Sequence, residues 1–240
     1  MKHWFSPIAL ISLIAVAGCV EVVESGPVTR PTPQAAARPA PAMPTRDRVQ
    51  QFITVVERVE PVAERECRAR APRLNCDFRI VVDDRPGQPA NAYQTVDRSG
   101  QPILAFTLAM IASVRNPDEL AFVMGHEAAH HIAGHIPRQQ QNAATGAILL
   151  GGLAAMTGAS QAAVDQAVEI GAGVGARSYS KNFELEADAL GTVITHRAGY
   201  NPVKGAAFFS QIPDPGNRFL GTHPPNAQRL ETVRRVAAGL

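Results

Sequence analysis

Apolar side chains recur every three or four residues in two separate parts of the chain, which is the spacing of one helix face. The first part runs from residue 47 to 70, where Pro61 is expected to kink or split the helix. The second runs from residue 116 to 136, where Asn116 can cap the helix and Glu119 can reach back to it as in a capping box. Both segments are therefore predicted to be amphipathic helices.

Three short runs between these helices have the composition of strands: Phe78–Val82, Ala92–Val96 and Ile103–Thr107. Segments containing Asp, Gly, Ser and Pro separate them as turns. The simplest arrangement is a small antiparallel sheet just before the second helix, which makes the fold class α+β and mostly helical. An edge strand of this sheet could take a substrate peptide as an added strand, or the sheet could serve only as packing support. The sequence leaves both roles open.

The segment from residue 139 to 164 contains no charged side chain and is rich in Ala and Gly. Its glycines, threonines and glutamines make a poor membrane span. A closely packed or mobile helical hairpin is therefore the favoured interpretation. Contact of residues 143–159 with lipid is the alternative.

The second predicted helix carries the sequence His126-Glu127-Ala128-Ala129-His130, which is the H-E-x-x-H pattern. Histidines four residues apart lie on one helix face, so both imidazoles can bind one metal ion. Glu127 projects about 100° away from His126 and can reach a metal-bound water as a general base. Two histidines that only form hydrogen bonds in a core are the alternative, but the pattern favours a zinc site.

The N-terminal residues have the features of an export signal. Lys2 and His3 precede an apolar run, Trp4–Ala17, that is too short for a comfortable membrane span. The ending Val-Ala-Gly-Cys resembles a bacterial lipobox, which implies that residues 1–18 are a lipoprotein signal peptide and that Cys19 carries lipid. An uncleaved anchor or an ordinary secreted protein are the alternatives.

Residues 19–45 are rich in Pro and Ala and are predicted to form an extended tether between the lipid and a folded domain at residues 46–240. The expected location is the bacterial cell envelope, facing the periplasm, on a membrane that is more plausibly the outer than the inner one. Acyl chains at Cys19 would hold the protein on the membrane surface.

Charge and cysteine content narrow the choice of partners. The net charge is only +2 and no basic block is present, which argues against a nucleic-acid partner. With Cys19 used for lipid, Cys67 and Cys76 remain in an oxidising compartment, and a disulfide between them is predicted. They lack the Cys-x-x-Cys spacing that would favour a redox or metal role.

A zinc hydrolase usually has three protein ligands, so a third ligand is needed. An acidic cluster in a helix-like segment supplies two candidates, Glu184 and Asp188, which are four residues apart and share a face. One of them can bind zinc while the other accepts a hydrogen bond from a zinc-binding histidine. Glu186 points roughly the opposite way, and spacing alone does not assign the two roles.

H-E-x-x-H followed some fifty residues later by this acidic motif resembles the gluzincin metallopeptidase family that includes the CAAX prenyl endopeptidase, HtpX and BepA. The similarity also covers Asn91-Ala92-Tyr93 and the sequence from residue 116 to 121, and spans about Arg48 to Leu240. It implies a zincin-like metallopeptidase domain with one Zn²⁺ ion, Glu184 as the third ligand and Asp188 as the hydrogen-bond partner of a ligand histidine. Lys181 stands where the family usually has Arg.

A downstream segment, Thr222-His223-Pro224-Pro225 with Arg229, also resembles the family, in which this histidine can approach the zinc. The resemblance implies a gating or oxyanion-stabilising role for His223; a surface histidine before a final helix is the alternative. His135 misses the spacing of the longer zinc motif by one residue and is interpreted as structural. His131 and His196 receive no role.

These features predict a membrane-tethered, zinc-dependent endopeptidase. Its expected substrates are polypeptides, above all unfolded or misassembled proteins of the cell envelope, a role that follows from the resemblance and the export signal. A non-proteolytic periplasmic chaperone or assembly factor with an occluded zinc site is the alternative.

Overall fold

The computed structural model describes residues 43–178, 180–214, 216 and 223–240. The predicted signal peptide, Cys19, nearly all of the tether and Thr222 lie outside the described residues. Helix α1 (Arg46–Arg70) is continuous through Pro61, so the predicted split is wrong. Pro61 is exposed, whereas Val59 and Val62 on either side are buried in one core. This packing outweighs a local proline penalty of about 3 kcal/mol.

The remaining elements confirm a mostly helical α+β fold. The strands are β1 (Arg79–Asp83), β2 (Ala92–Val96) and β3 (Pro102–Thr107). The helices are α2 (Leu108–Ser113), α3 (Pro117–Ile132), α4 (His135–Met156), α5 (Gln161–Ser178), α6 (Ser180–Arg197), α7 (Pro202–Gly205) and α8 (Asn226–Ala237), with a 3₁₀ helix at Ala206–Gln211.

The three-stranded sheet is mixed, so the predicted antiparallel sheet is wrong for one of its two strand pairs. Strand β3 is central: it pairs antiparallel with β2 and parallel with β1. Because β3 is the most buried of the three strands, the central position suits it best. The turn at Asp97, whose carboxylate accepts the N–H groups of Ser99 and Gln101, joins β2 to β3 as a hairpin and leaves β2 at an edge of the sheet.

The main core lies where α1, β3, α3 and α6 meet. Its fully buried side chains include Val55, Leu104, Leu120, Met124 and Ile194. Removing any one of these would cost about 2–5 kcal/mol through lost burial and a cavity. Helix α3 thus packs against both α1 and α6, which fixes the orientation of the face that carries His126 and His130.

The structure contains the predicted disulfide between Cys67 and Cys76, both of which are buried. The loop that it closes presents the Asn75 carbonyl to α3, where the His131 Nε2–H group donates to it at 2.8 Å. The Phe78 ring packs edge-on against His131 with the centroids 5.4 Å apart. His131 therefore anchors the back of α3, on the side away from the His126–His130 face.

Helices α3 and α6 touch backbone to backbone at Gly125 and Gly191. A Cβ atom added to Gly191 would lie 2.9 Å from the His126 backbone nitrogen, closer than real side chains approach. Glycine is therefore required there for the close crossing. The crossing brings the acidic part of α6 up to the histidines of α3.

Helices α4 and α5 form the predicted hairpin, and their contact is made by glycines. A Cβ on Gly146 would lie 2.0 Å from the Gly171 carbonyl oxygen. The larger apolar side chains instead point outward, including Leu149, Leu153 and Met156. Among the described residues, no helix combines the length and hydrophobicity that a membrane crossing requires.

Candidate metal centre

Helix α3 starts as predicted and presents His126 and His130 to the same point. The Asn116 side chain accepts the Glu119 N–H at 3.0 Å, which caps the helix. In a standard capping box the Glu119 carboxylate would accept the backbone N–H of Asn116, but here it accepts the N–H of Arg115 at 2.7 Å. One turn of helix then separates His126 from His130, and their Nε2 atoms lie 3.0 Å apart.

Glu184 on α6 faces these two nitrogen atoms. Its carboxylate oxygens lie 3.6 Å from the His126 Nε2 atom and 3.4 Å from the His130 Nε2 atom. One ligand atom from each of the three side chains lies within 4.8 Å of the others. Tetrahedral zinc with ligands at about 2.1 Å needs ligand atoms about 3.4 Å apart, so the three groups fit one Zn²⁺ ion.

Asp188 fixes the orientation of the first histidine. Its Oδ1 atom lies 3.0 Å from the His126 Nδ1 atom, so that nitrogen donates to the carboxylate and Nε2 is the ring nitrogen that faces the metal-binding candidates. Asp188 is fully buried and receives two hydrogen bonds from Arg229, at 2.7 and 2.8 Å. The Arg229 guanidinium also lies 3.4 Å from Glu184 and 3.8 Å above the centre of the Phe209 ring.

Sequence interpretation gave Arg229 no role, although the residue belongs to the downstream segment that resembles the family. In the structure Arg229 is 4% exposed and neutralises the buried carboxylate of Asp188. A buried carboxylate without a cation would be strongly unfavourable. The role of Arg229 could have been found only from its pairing with an acidic residue in another helix, and a single sequence does not reveal such a pairing.

The charges of the site favour a bound cation. Burial lowers the pKa of His126, but hydrogen bonds to Asp188 and Glu184 outweigh it and raise that pKa to about 10. Burial lowers the pKa of His130 to about 3, so its ring is neutral and able to bind metal. Burial raises the pKa of Glu184, but the hydrogen bond and charge of His126, together with the charge of Arg229, outweigh it and leave that pKa well below its usual range. The site therefore presents an ionised carboxylate, the neutral imidazole of His130 and the imidazole of His126, which must release its Nε2 proton when a metal binds; these are the ligand types that zinc prefers.

Glu127 lies beside the metal site and next to the sheet. Burial raises the pKa of its carboxyl group to about 7, while the nearby His126 lowers it and Glu184 raises it further. The nearby backbone of Gln94 in β2 also lowers this pKa slightly. A carboxyl group with a pKa near neutrality suits proton transfer in both directions.

These residues line a pocket of about 460 Å³. One wall is the edge strand β2, from Ala92 to Gln94, and another contains Phe208 and Phe209. An extended segment of polypeptide can therefore lie along β2 with its backbone close to Glu127.

His223 also lines this pocket, with its Nε2 atom 3.8 Å from a carboxylate oxygen of Glu184. Its side chain is half exposed. The structure thus brings His223 beside the three metal-binding candidates, although Thr222 before it lies outside the described residues. His196 lines a separate surface pocket with Tyr200.

Two further side chains that sequence interpretation set aside lie at the site. The His135 Nδ1 atom is 2.8 Å from the His130 Nδ1 atom, and its Nε2 atom is 3.2 Å from Glu186. Glu186 is not one of the three clustered metal-binding candidates, but its carboxylate reaches this second histidine. The H-E-x-x-H spacing contains no signal for a contact five residues beyond its last histidine.

Together, the helix-borne histidines, the glutamate between them and the acid from a second helix define a zincin-like metallopeptidase domain. The family model of Peptidase family M48 matches residues 50–237, which is nearly the whole described domain. The chain therefore belongs to Peptidase family M48, and the resemblance noted in the sequence is confirmed.

Curated relatives include the beta-barrel assembly-enhancing proteases of Escherichia coli O157:H7, Escherichia coli strain K12 and Shigella flexneri. Each is 31% identical over 144 residues, which cover 51% of this chain and 28% of the relative. The chain thus matches less than a third of the length of these relatives.

Proposed function

We propose that this protein is a zinc-dependent endopeptidase in which His126, His130 and Glu184 hold one Zn²⁺ ion. The observation that carries the proposal is the convergence of these three side chains, within 4.8 Å of one another, beside a half-buried glutamate in a pocket. When bound, the zinc ion lowers the pKa of a water ligand toward about 7 and polarises the scissile carbonyl.

Glu127 acts as the general base. Its carboxylate accepts the proton of the attacking water and then gives it to the nitrogen of the leaving amine, which contributes about 10²–10⁴-fold to the rate. Asp188 and Arg229 keep the His126 ring in one orientation throughout, through the hydrogen bonds described above. His223 lies at the rim of the pocket, where it stabilises the oxyanion or gates access to the site.

The substrate is an extended polypeptide that adds to the free edge of β2. Antiparallel pairing with that edge supplies backbone hydrogen bonds that do not depend on sequence, and the pocket beside it accepts a side chain. Unfolded chains offer unpaired extended segments far more often than folded proteins, in which most backbone groups are already paired. The proposed substrates are therefore unfolded or misassembled proteins, and the name of the relatives, which refers to β-barrel assembly, supports a substrate from the cell envelope.

The Glu127→Gln variant tests the reaction. It keeps the metal-binding residues and is expected to bind zinc like the wild type while losing cleavage of an unfolded substrate such as casein. Glu231→Gln, on the exposed side of α8, is the matched control and is expected to cleave normally. Removal of zinc with a chelator should stop the wild type, and added zinc should restore it. Wild-type cleavage by Glu127→Gln would overturn the proposal.

The cleavage assay, together with a measurement of aggregation, distinguishes the endopeptidase from a non-proteolytic chaperone with an occluded zinc site. The position of His223 beside Glu184 is the observation that favours this alternative. If the wild type and His223→Ala both suppress aggregation of an unfolded protein but neither cleaves it, the protein is a chaperone. Cleavage that increases in His223→Ala would instead identify His223 as a gate.

We further propose that the lipid-modified Cys19 anchors the protein in the bacterial envelope, facing the periplasm and on the outer membrane in preference to the inner one. The Cys19→Ser variant is expected to leave the membrane fraction and to lack the mass of the acyl chains. Unchanged membrane association and mass in this variant would contradict the anchor.

A further inference from the structure

We propose that His135 is a positioning residue for the metal site: together with Glu186 and Arg138 it holds His130 in the tautomer and orientation that bind zinc. This inference rests on the proposed function, because it concerns the same zinc ion. It gives the second ligand histidine a support equivalent to the one that Asp188 gives the first.

The four side chains form a continuous series of short contacts. The Nδ1 atoms of His130 and His135 are 2.8 Å apart, and the His135 Nε2 atom is 3.2 Å from the Glu186 Oε2 atom. The Arg138 guanidinium donates to the same Glu186 oxygen at 2.8 Å. The series therefore runs from a metal-binding candidate to a carboxylate that is neutralised by an arginine.

Proton positions along this series follow from the chemistry of imidazole. A ring that binds metal through Nε2 must carry its proton on Nδ1, and at 2.8 Å one of the two Nδ1 atoms must be the donor. If His130 donates, His135 accepts on Nδ1 and donates from Nε2 to Glu186. Every polar atom is then satisfied with both rings neutral. The opposite order would put a proton on the His130 Nε2 atom and block the metal.

Local structure fixes His135 in this position. Gly134 has φ +64°, a conformation that glycine adopts without strain, and it turns the chain between α3 and α4. His135 then starts α4, is 4% exposed and stacks on the Phe183 ring at a centroid distance of 4.6 Å. Arg138 covers the same ring at 4.4 Å. The imidazole is thus held by stacking as well as by its two hydrogen bonds.

Both supports of the site end in a carboxylate that is paired with an arginine. His126 donates to Asp188, which is paired with Arg229, whereas His130 is linked through His135 to Glu186 and Arg138. A carboxylate behind a ligand histidine raises the basicity of the ring and fixes its orientation. Loss of such a partner typically weakens metal binding by about 10–100-fold.

The test compares His135→Phe with His135→Gln in the full chain. Phenylalanine keeps a ring against Phe183 but cannot accept the His130 proton, and zinc affinity is expected to fall about 10–100-fold. Glutamine can accept from His130 through its amide oxygen and donate to Glu186, so it should recover part of that affinity. Zinc affinity is measured by competition with a chromophoric chelator, and the absorption spectrum of the cobalt-substituted protein reports on the ligand geometry.

His131→Phe is the matched control, because His131 is also buried and hydrogen-bonded but faces away from the metal. It is expected to lower the melting temperature of the metal-free protein and leave zinc affinity and the cobalt spectrum unchanged. Equal losses of affinity in His135→Phe and His131→Phe would overturn the inference, as would wild-type affinity and spectrum in His135→Phe. Failure of the wild type to bind zinc or cleave any substrate would instead defeat the proposed function.

Discussion

Replacing Arg229 tests the buried ion pair behind the first ligand histidine. Arg229→Met keeps much of the side-chain volume against Phe209 but removes the cation that makes two hydrogen bonds to Asp188. The Asp188 carboxylate is 0% exposed, so water cannot replace the lost partner without local opening. The variant is therefore expected to lose stability and zinc affinity together.

The magnitude follows from the burial of both groups. Removing one partner of a buried ion pair costs about 3–5 kcal/mol when the other charge is left uncompensated, and this range is an upper bound here because His126 still donates to Asp188. An unfolding entropy of about 2.1 cal/mol/K per residue gives about 0.4 kcal/mol/K for a domain the size of residues 46–240. The melting temperature should therefore fall by up to about 7–12 °C in Arg229→Met.

Urea and thermal unfolding of the metal-free protein measure this loss without a contribution from bound zinc. Arg234→Met is the matched control, since it removes an exposed arginine from the same helix and should change stability by less than about 0.5 kcal/mol. The double variant Arg229→Met with Asp188→Asn removes both charges and should be more stable than Arg229→Met alone. A loss below about 1 kcal/mol in Arg229→Met, or no recovery in the double variant, would refute the reasoning.

Three further changes test other parts of the fold. Gly191→Ala should cost about 1–3 kcal/mol and weaken zinc binding, because the added Cβ would lie 2.9 Å from the α3 backbone. Gly173→Ala, whose added Cβ would have no atom within 4 Å, should instead stabilise the protein by about 0.5–1 kcal/mol. Equal melting temperatures for the two variants would contradict this prediction. Burial raises the pKa of Glu66, but hydrogen bonds from its two arginine partners outweigh it and lower that pKa below 4.5. The stabilisation by these hydrogen bonds is complete above pH 4.5 and is lost as the pH falls through the lowered pKa of Glu66. In urea titrations Glu66→Gln should therefore be about 1–2 kcal/mol less stable than the wild type near pH 7, and this difference should narrow below pH 4.5. A difference in the free energy of unfolding that stays constant with pH would contradict this prediction. Reduction of the Cys67–Cys76 bond should lower the free energy of unfolding by about 3 kcal/mol, and identical urea curves with and without reductant would exclude that effect.

Local sequence signals predicted the elements of the fold well. The cap at Asn116 and the histidine spacing are properties of a few neighbouring residues, and α3 starts and presents its side chains as expected. The three strands also lie close to their predicted positions. The antiparallel prediction was wrong for the β1–β3 pair, because the pairing depends on which strand is buried most deeply, and burial on both sides of a strand is a property of the whole core.

Contacts between distant residues were predicted only where the family resemblance supplied them. Glu184 and Asp188 were equivalent by spacing, and the structure distinguishes them because α6 crosses α3 at Gly125 and Gly191. Arg229 is separated from His126 by 103 residues, and no periodicity or spacing rule connects them. The contact between His135 and His130 depends on the left-handed conformation of Gly134, which no periodicity in the sequence indicates.

The order of these residues along the chain sets the order in which the centre can be built during synthesis. A nascent chain that ends in α5 holds both imidazoles but neither Glu184 nor Asp188, and a chain that ends before α8 lacks the guanidinium that neutralises Asp188. Hydrolytic competence therefore arises late, after the chain has been made past residue 229. The emerging polypeptide is itself an unfolded segment, and this delay protects it from its own proposed activity.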